Sequence, residues 1–157
     1  MPTEIRPEPP RQPDIVELLR LSDAFALSLY PPENCFLLDV SELEQPGVTL
    51  FVARVDGRAL GIAALVVGAT PDWAELKRMF VHEDARGQGV ARALLAAVEG
   101  AAREAGIPEL RLETGTLHDA AMALYESAGY RRIPNFGQYV DGPDSLCYAK
   151  PLGVPAR

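Results

Sequence analysis

The chain has 157 residues, which fits one domain of ordinary size and leaves no room for a nucleotide-binding domain plus a separate substrate domain. Hydrophobic residues at 48%, charged residues at 24%, and 13 glycines with 14 prolines describe a globular chain. A formal net charge of −7 opposes a polyanion-binding surface, so nucleic acid is not an expected partner.

The longest nearly uninterrupted apolar run, Ala59 to Ala69, falls short of the roughly 18 to 20 residues that span a bilayer, and no membrane segment is expected. The N-terminus lacks an apolar signal core, which points to a cytoplasmic protein. Cys35 and Cys147 stand far apart with no CxxC or Cys/His pairing, so two free thiols and no metal site are expected.

Five prolines within the first thirteen residues forbid a helix there and favour a loosely held leader (1–13), with Thr3 to Arg6 as an edge strand. A domain over residues 14–152 follows, then a tail (153–157). Asp14 with Glu17 reads as a capping box, and Leu18, Leu21, Phe25 and Leu29 recur at helical spacing until Pro31-Pro32. A short helix around Ser41 to Glu44 rests on little beyond composition.

From Val48 the period changes to two. Val48 to Val55 and Arg58 to Val67 are strands joined by Asp56-Gly57, a two-residue hairpin signal because both turn residues need positive φ. Trp73 to Val81 is a third strand, with Glu75, Lys77, Met79 and Val81 on one face and Leu76, Arg78 and Phe80 on the other. A long helix carries Val90, Leu94, Val98, Ala102 and Ala105 as one stripe and closes at Gly106 and Pro108. Leu110 to Glu113 is a strand, and Thr116 with Asp119 reads as the cap of a helix bearing Ala121, Leu124, Tyr125 and Ala128. Tyr130 to Ile133 and Ser145 to Lys150 supply two closing strands. The fold class is therefore mixed α/β. The strand before the Gly-rich turn and the strand at Leu110 are joined by a helix and are expected to run parallel.

Arg86-Gly87-Gln88-Gly89-Val90-Ala91 follows a strand and opens a helix, so its backbone amides can face an anion at the positive helix end. A plain tight turn is the alternative. There is no Gly-Lys-Ser/Thr of a nucleotide P-loop, and Arg92 fills the third glycine position of a dinucleotide fingerprint.

On Arg86, Gly89 and Ala91 the segment resembles the Q/R-x-x-G-x-G/A pyrophosphate loop of the GNAT superfamily, the acyl-CoA-dependent N-acyltransferases. The hairpin, the strand Glu75 to Val81, the long helix, Leu110 to Glu113 and the Leu124-Tyr125-Glu126-Ser127-Ala128-Gly129-Tyr130 segment extend the resemblance over nearly the whole chain. Two positions depart: Glu83 stands where a proline is common, and His118 stands seven residues before Tyr125, where many members carry a CoA-contacting asparagine. Within the superfamily, Glu75 to Met79, Leu112 to Gly115 and Phe136 to Tyr139 look like a bacterial branch of small-molecule N-acetyltransferases.

The resemblance implies a single-domain, six- to seven-stranded mixed sheet flanked by helices, with a splayed central strand pair. It implies acetyl-CoA as co-substrate, held by Met79, Phe80, Val81, Arg86, Gly87, Gln88, Gly89, Val90, Ala91 and His118. It also implies direct transfer to a primary amine of a small molecule in a ternary complex, and it allows a homodimer. Tyr125 is then the acid that protonates the leaving thiolate, or else a core tyrosine. Glu75 accepts the amine proton, or else is a strand carboxylate paired with Lys77 or Arg78. Tyr30, Glu33, Phe136 and Tyr139 wall the acceptor pocket, or simply pack. If Lys77, Arg78, Arg131 and Arg132 face that pocket, an amino-acid-like acceptor follows. The competing functions are a non-catalytic acyl-CoA-binding or sensing module and a protein N-acetyltransferase.

Overall fold

The computed structural model describes residues 3–153, so Met1 and Pro2 of the expected leader and residues 154–157 of the expected tail lie outside the described residues. Among these, the strands β1 (Thr3–Pro7), β2 (Val48–Val55), β3 (Arg58–Val66), β4 (Ala74–Val81), β5 (Glu109–Gly115), β6 (Arg131–Ile133) and β7 (Ser145–Pro151) form one seven-stranded sheet in the order β1-β2-β3-β4-β5-β7-β6. Every neighbouring pair is antiparallel except β4 and β5. Their parallel pairing follows from the helical crossover between them. The helices are α1 (Pro13–Leu29), α2 (Val40–Leu43), α3 (Val90–Glu104) and α4 (Asp119–Ser127).

Local chemistry explains most boundaries. Asp56 and Gly57 adopt φ of 52° and 80°, the pair of positive values a tight hairpin requires. Gly106 ends α3 in the left-handed region, with the Ile107 amide donating to Ala102 and the Gly106 amide to Arg103. The proline-rich start is held firmly: β1 pairs along β2, and Glu8 accepts two hydrogen bonds from Arg54. The expected capping box of α1 does not form. Pro13 takes the first helical position, so Asp14 falls inside the first turn and its carboxylate pairs with Arg54 instead. A reciprocal capping box forms at α2, where Asp39 accepts from the Glu42 amide and Glu42 from the Asp39 amide. At α4 the N-cap is His118, without a side-chain cap, and Thr116 lies outside the helix.

Two apolar cores flank the sheet. One, beneath α3 and α4, gathers residues such as Leu65, Leu76, Leu94, Val98, Leu112 and Tyr148. The other packs Ile15, Leu18 and Leu19 of α1 and Leu43 of α2 against Val52 and Ile62. A carboxylate is built into the first: Glu99, 6% exposed, accepts from the Tyr130 hydroxyl at 2.7 Å and from Lys150 Nζ at 3.0 Å. Those partners supply what burial of a charge requires.

The expected alternation along β4 is broken. Arg78 has a φ of 58°, and the β3–β4 register slips between Ile62, opposite Phe80, and Ala64, opposite Lys77. The extra residue is a β-bulge, which turns every later side chain to the other face. Met79 and Val81 therefore join Leu76 on the α3 side, whereas Phe80 packs on the α1 core and Arg78 reaches Asp23 and the Leu19 carbonyl of α1. Glu75 and Val81 do not share a face.

The seat of α3 depends on Gly61, where a Cβ would meet Leu94 Cδ1 at 2.9 Å and Val90 Cγ1 at 3.0 Å. Gly61→Val is expected to lower stability by about 1 to 3 kcal/mol through overpacking, read as a lower urea midpoint at unchanged m-value. An unshifted midpoint would show that α3 is not pressed against β3.

Candidate active site

β4 and β5 pair only through Ala74–Leu110, Glu75–Arg111 and Leu76–Leu112. Beyond these the strands part, and the gap opens a slot through the sheet. A cavity of about 490 Å³ occupies it, walled by the C-terminal half of α1, both splayed strands, α4 and Tyr139. His82 donates its amide to Leu60 of β3. Because successive amides of an extended strand point to opposite edges, those of Val81 and Met79 face the open edge.

At one end of the slot lies the Gly-rich turn. Gly87 and Gly89 have φ of 78° and 77°, and a Cβ at either would meet nothing within 4 Å. The glycines thus serve backbone conformation and close approach from outside, not internal packing. No side chain caps α3, and its first intrahelical bond runs from the Ala93 amide to the Gly89 carbonyl. The amides of Val90, Ala91 and Arg92 are left at the positive end of the helix dipole. Arg86 and Ala91 line the cavity, Gln88 bonds to the Asp84 carbonyl, and the Val90 side chain enters the core. An anion-binding helix end beside an unpaired strand edge fits the pyrophosphate and the extended pantetheine arm of CoA.

Tyr125 reaches the slot from α4. Its carbonyl accepts the Tyr130 amide in the helix cap, and the Tyr130 ring rests edge-on against its own at 5.8 Å. The hydroxyl has no hydrogen-bond partner among the described residues and opens onto the cavity. Burial, followed by the neighbouring Glu113 charge, raises its pKa well above the ordinary phenol value, so the proton stays on.

From β4, on the opposite sheet face, comes Glu75, which accepts from Tyr139. The Tyr139 hydroxyl in turn accepts from Lys77 Nζ at 2.6 Å. Tyr30 lies across Gly115, where a Cβ would fall 1.9 Å from its hydroxyl, and accepts the Leu117 amide at 2.8 Å. This contact roofs the slot.

Glu33 and Phe136, expected in the acceptor wall, do not line the cavity. Glu33 is exposed in a 3-10 turn, and Phe136 packs on Trp73 and on the outer side of Tyr139. Glu113, Asp144 and Cys35 do line it without having been singled out. Glu113 was legible in principle, since it alternates with buried Leu110, Leu112 and Thr114 on a strand and so faces the other side. Cys35 is no activated nucleophile: burial raises its thiol pKa, and its sulfur contacts the Pro31 carbonyl at 3.5 Å.

The acetyltransferase (GNAT) family matches residues 14–130. A protein named IAA acetyltransferase from Azospirillum brasilense is 39% identical over 145 residues, 92% of this chain and 95% of that one. Human N-acetylaspartate synthetase is 35% identical over 124 residues, 76% of this chain but 41% of its own length. Among solved structures, a Klebsiella pneumoniae protein assigned as an acyl-CoA N-acyltransferase is 31% identical with a TM-score of 0.81, covering 96% of this chain and 98% of that one. PaiA N-acetyltransferase from Thermoplasma acidophilum, in complex with coenzyme A, shares the fold at a TM-score of 0.76 and 19% identity, covering 96% of this chain and 99% of that one. The chain belongs to the GNAT acetyltransferase family, the acyl-CoA-dependent N-acyltransferases. Among the described residues no helix is long and apolar enough to cross a membrane.

His118 lines the cavity with its ring 5.0 Å from that of Phe25. Burial first, and the Arg86 charge second, hold its pKa below the ordinary 6.5, so the imidazole stays neutral at neutral pH. An NMR titration, with His118→Asn to assign the resonance, is expected to find it below 6.5 and to find it higher in Arg86→Gln. A titration unchanged by Arg86→Gln would separate the two side chains.

Proposed function

We propose that the protein transfers the acetyl group of acetyl-CoA directly to a primary amine of a small molecule, within a ternary complex. The observation that carries this reading is the slot itself. It has an anion-binding helix end at one extremity, and both an uncommitted phenol from α4 and a carboxylate from β4 border one cavity. The co-substrate supplies the acyl group on a thioester whose thiolate can leave.

The amides of Val90, Ala91 and Arg92, with Arg86, hold the pyrophosphate. Val81 and Met79 offer strand-edge amides, the latter for the acyl oxygen. Glu75 receives the proton that the amine sheds, and Tyr125 gives its hydroxyl proton to the departing sulfur. Tyr139 and Lys77 fix the Glu75 carboxylate. The free cysteines Cys35 and Cys147 support a reducing compartment, hence a cytoplasmic site of action. Of the four cations on which an amino-acid-like acceptor would depend, Lys77 and Arg78 line the cavity, whereas Arg131 and Arg132 do not.

Gly89→Val imposes a β-branched side chain on a positive φ and fills the approach to the helix end. The dissociation constant for acetyl-CoA is expected to rise at least tenfold, about 1.4 kcal/mol, in a folded variant. Unchanged calorimetric affinity would remove the turn from CoA binding. Tyr125→Phe is expected to leave that affinity nearly intact and to lower kcat by roughly 10² to 10⁴-fold with the best amine of a panel. Wild-type turnover would make Tyr125 a packing residue.

A further inference from the structure

The acceptor side of the slot is the sheet face that carries Glu75 and Lys77 of β4 and Glu113 of β5, with Tyr139, Asp144 and the segment after α1 around them. The charges on this face do not balance. Lys77 is held by Tyr139 and lies 3.7 Å from Glu75, with 7% of its side chain exposed. Arg78 is held by Asp23 at 2.6 Å and by the Leu19 carbonyl, with 2% of its side chain exposed. Arg78 lines the cavity, and its Nε is buried without a hydrogen-bond partner among the described residues. Among the described residues both cations on this side of the cavity are thus bonded within the protein, and Arg86 stands at the helix end, where the proposed function puts the pyrophosphate.

The carboxylates are in the opposite state. Glu113 sits at the first β5 position past the last β4 pair, where the strands part. One oxygen accepts from Ser145 Oγ at 2.6 Å, and no donor among the described residues reaches the other. Asp144 is bonded to the neutral amide of Asn34 at 2.8 Å, and no cation among the described residues pairs with it. Two carboxylates thus line the cavity without an ion-pair partner among the described residues, although the Lys77 charge still acts on Glu113 from further off.

We propose that Glu113 is the residue that binds the acceptor's ammonium group, and that Glu113 and Asp144 together select amines without a carboxylate, such as diamines, over the matching amino acids. This rests on the reading that the slot admits a small amine. Ser145 holds one oxygen of the Glu113 carboxylate at the cavity wall and leaves the other without a donor among the described residues, and Glu75 takes the proton. A carboxylate on the acceptor would meet Glu113 and Asp144, while the described cations on that side, Lys77 and Arg78, are already held by Glu75, Tyr139 and Asp23. Burial raises the Glu113 carboxyl above its ordinary range, and an ammonium ion beside it would favour the charged form.

The test is calorimetric binding of 1,4-diaminobutane, ornithine and aspartate to the full chain in the presence of CoA, for the wild type and for Glu113→Gln. The variant retains an acceptor oxygen for Ser145. The diamine is expected to bind the wild type at least tenfold more tightly than ornithine, which differs from it by one carboxylate. Glu113→Gln is expected to weaken diamine binding at least tenfold while CoA affinity holds. Ornithine or aspartate binding as tightly as the diamine, no binding of any of the three, or a folded Glu113→Gln that binds the diamine like the wild type would each overturn the proposal. If the variant does not fold, the wild-type preference alone decides. Acetylated product, followed separately by mass spectrometry, reports on the transferase reading. A protein that binds the diamine but acetylates no amine keeps the ammonium seat and loses the transfer.

Discussion

The parting of β4 from β5 after three residue pairs is the constraint on which the rest of the molecule depends. Two parallel strands at the centre of a sheet normally stay hydrogen-bonded along their length, since leaving amides and carbonyls unpaired there is costly. What forces them apart is local. Arg78 adopts a φ of 58°, which costs a side-chain-bearing residue about 1 kcal/mol or more. The guanidinium is anchored to Asp23 and Leu19 of α1, so the bulge is held from outside the strand. One inserted residue both turns Met79 and Val81 towards α3 and frees a strand edge.

A slot through a sheet has two sides, and the two cores give them different chemistry. The α3 and α4 side presents helix amides, Arg86 and a phenol whose proton burial holds in place. The α1 side presents carboxylates, with its cations already neutralised. Helix α1 serves both the core and the cavity. Ile15, Leu18 and Leu19 pack beneath the sheet, whereas Phe25, Leu29 and Tyr30, further along, roof the slot. The stripe that looks like one continuous core face in sequence thus divides where the helix passes the parting strands.

Small backbone devices carry much of the site's precision. The cap that ends α4 at Gly129 ties the Tyr125 carbonyl to the Tyr130 amide, so the motif that stops the helix also sets the phenol's position. Gly115 leaves room for the Tyr30 ring, as any side chain there would occupy the place of its hydroxyl. Family membership accounts for the general form of such a site. The particular charge balance on the α1 side of the slot belongs to Glu113, Asp144, Lys77 and Arg78 of this chain.

Signals confined to a few neighbouring residues were legible in the sequence. Asp56-Gly57 demanded its hairpin, Gly87 and Gly89 their turn before α3, Pro31-Pro32 the end of α1, and the motif around Arg86 and Tyr125 pointed to the family. Contacts across the fold were not legible. The Asp14 capping box lost its carboxylate to Arg54, forty residues away, and Glu33 and Phe136 were assigned to a wall they do not reach because loop geometry is set by what the loop packs on. The facing of β4 was misread because a period-two pattern assumes an unbroken ladder, and nothing local to Arg78 announces that α1 will hold it in the left-handed region. Sequence by itself determined the elements, the glycine turn that opens α3 and the class of chemistry, all of which depend on short-range backbone preferences. The tertiary structure alone decided where the sheet opens and which charges remain unpaired inside it, because both depend on side chains that meet only after the chain has folded.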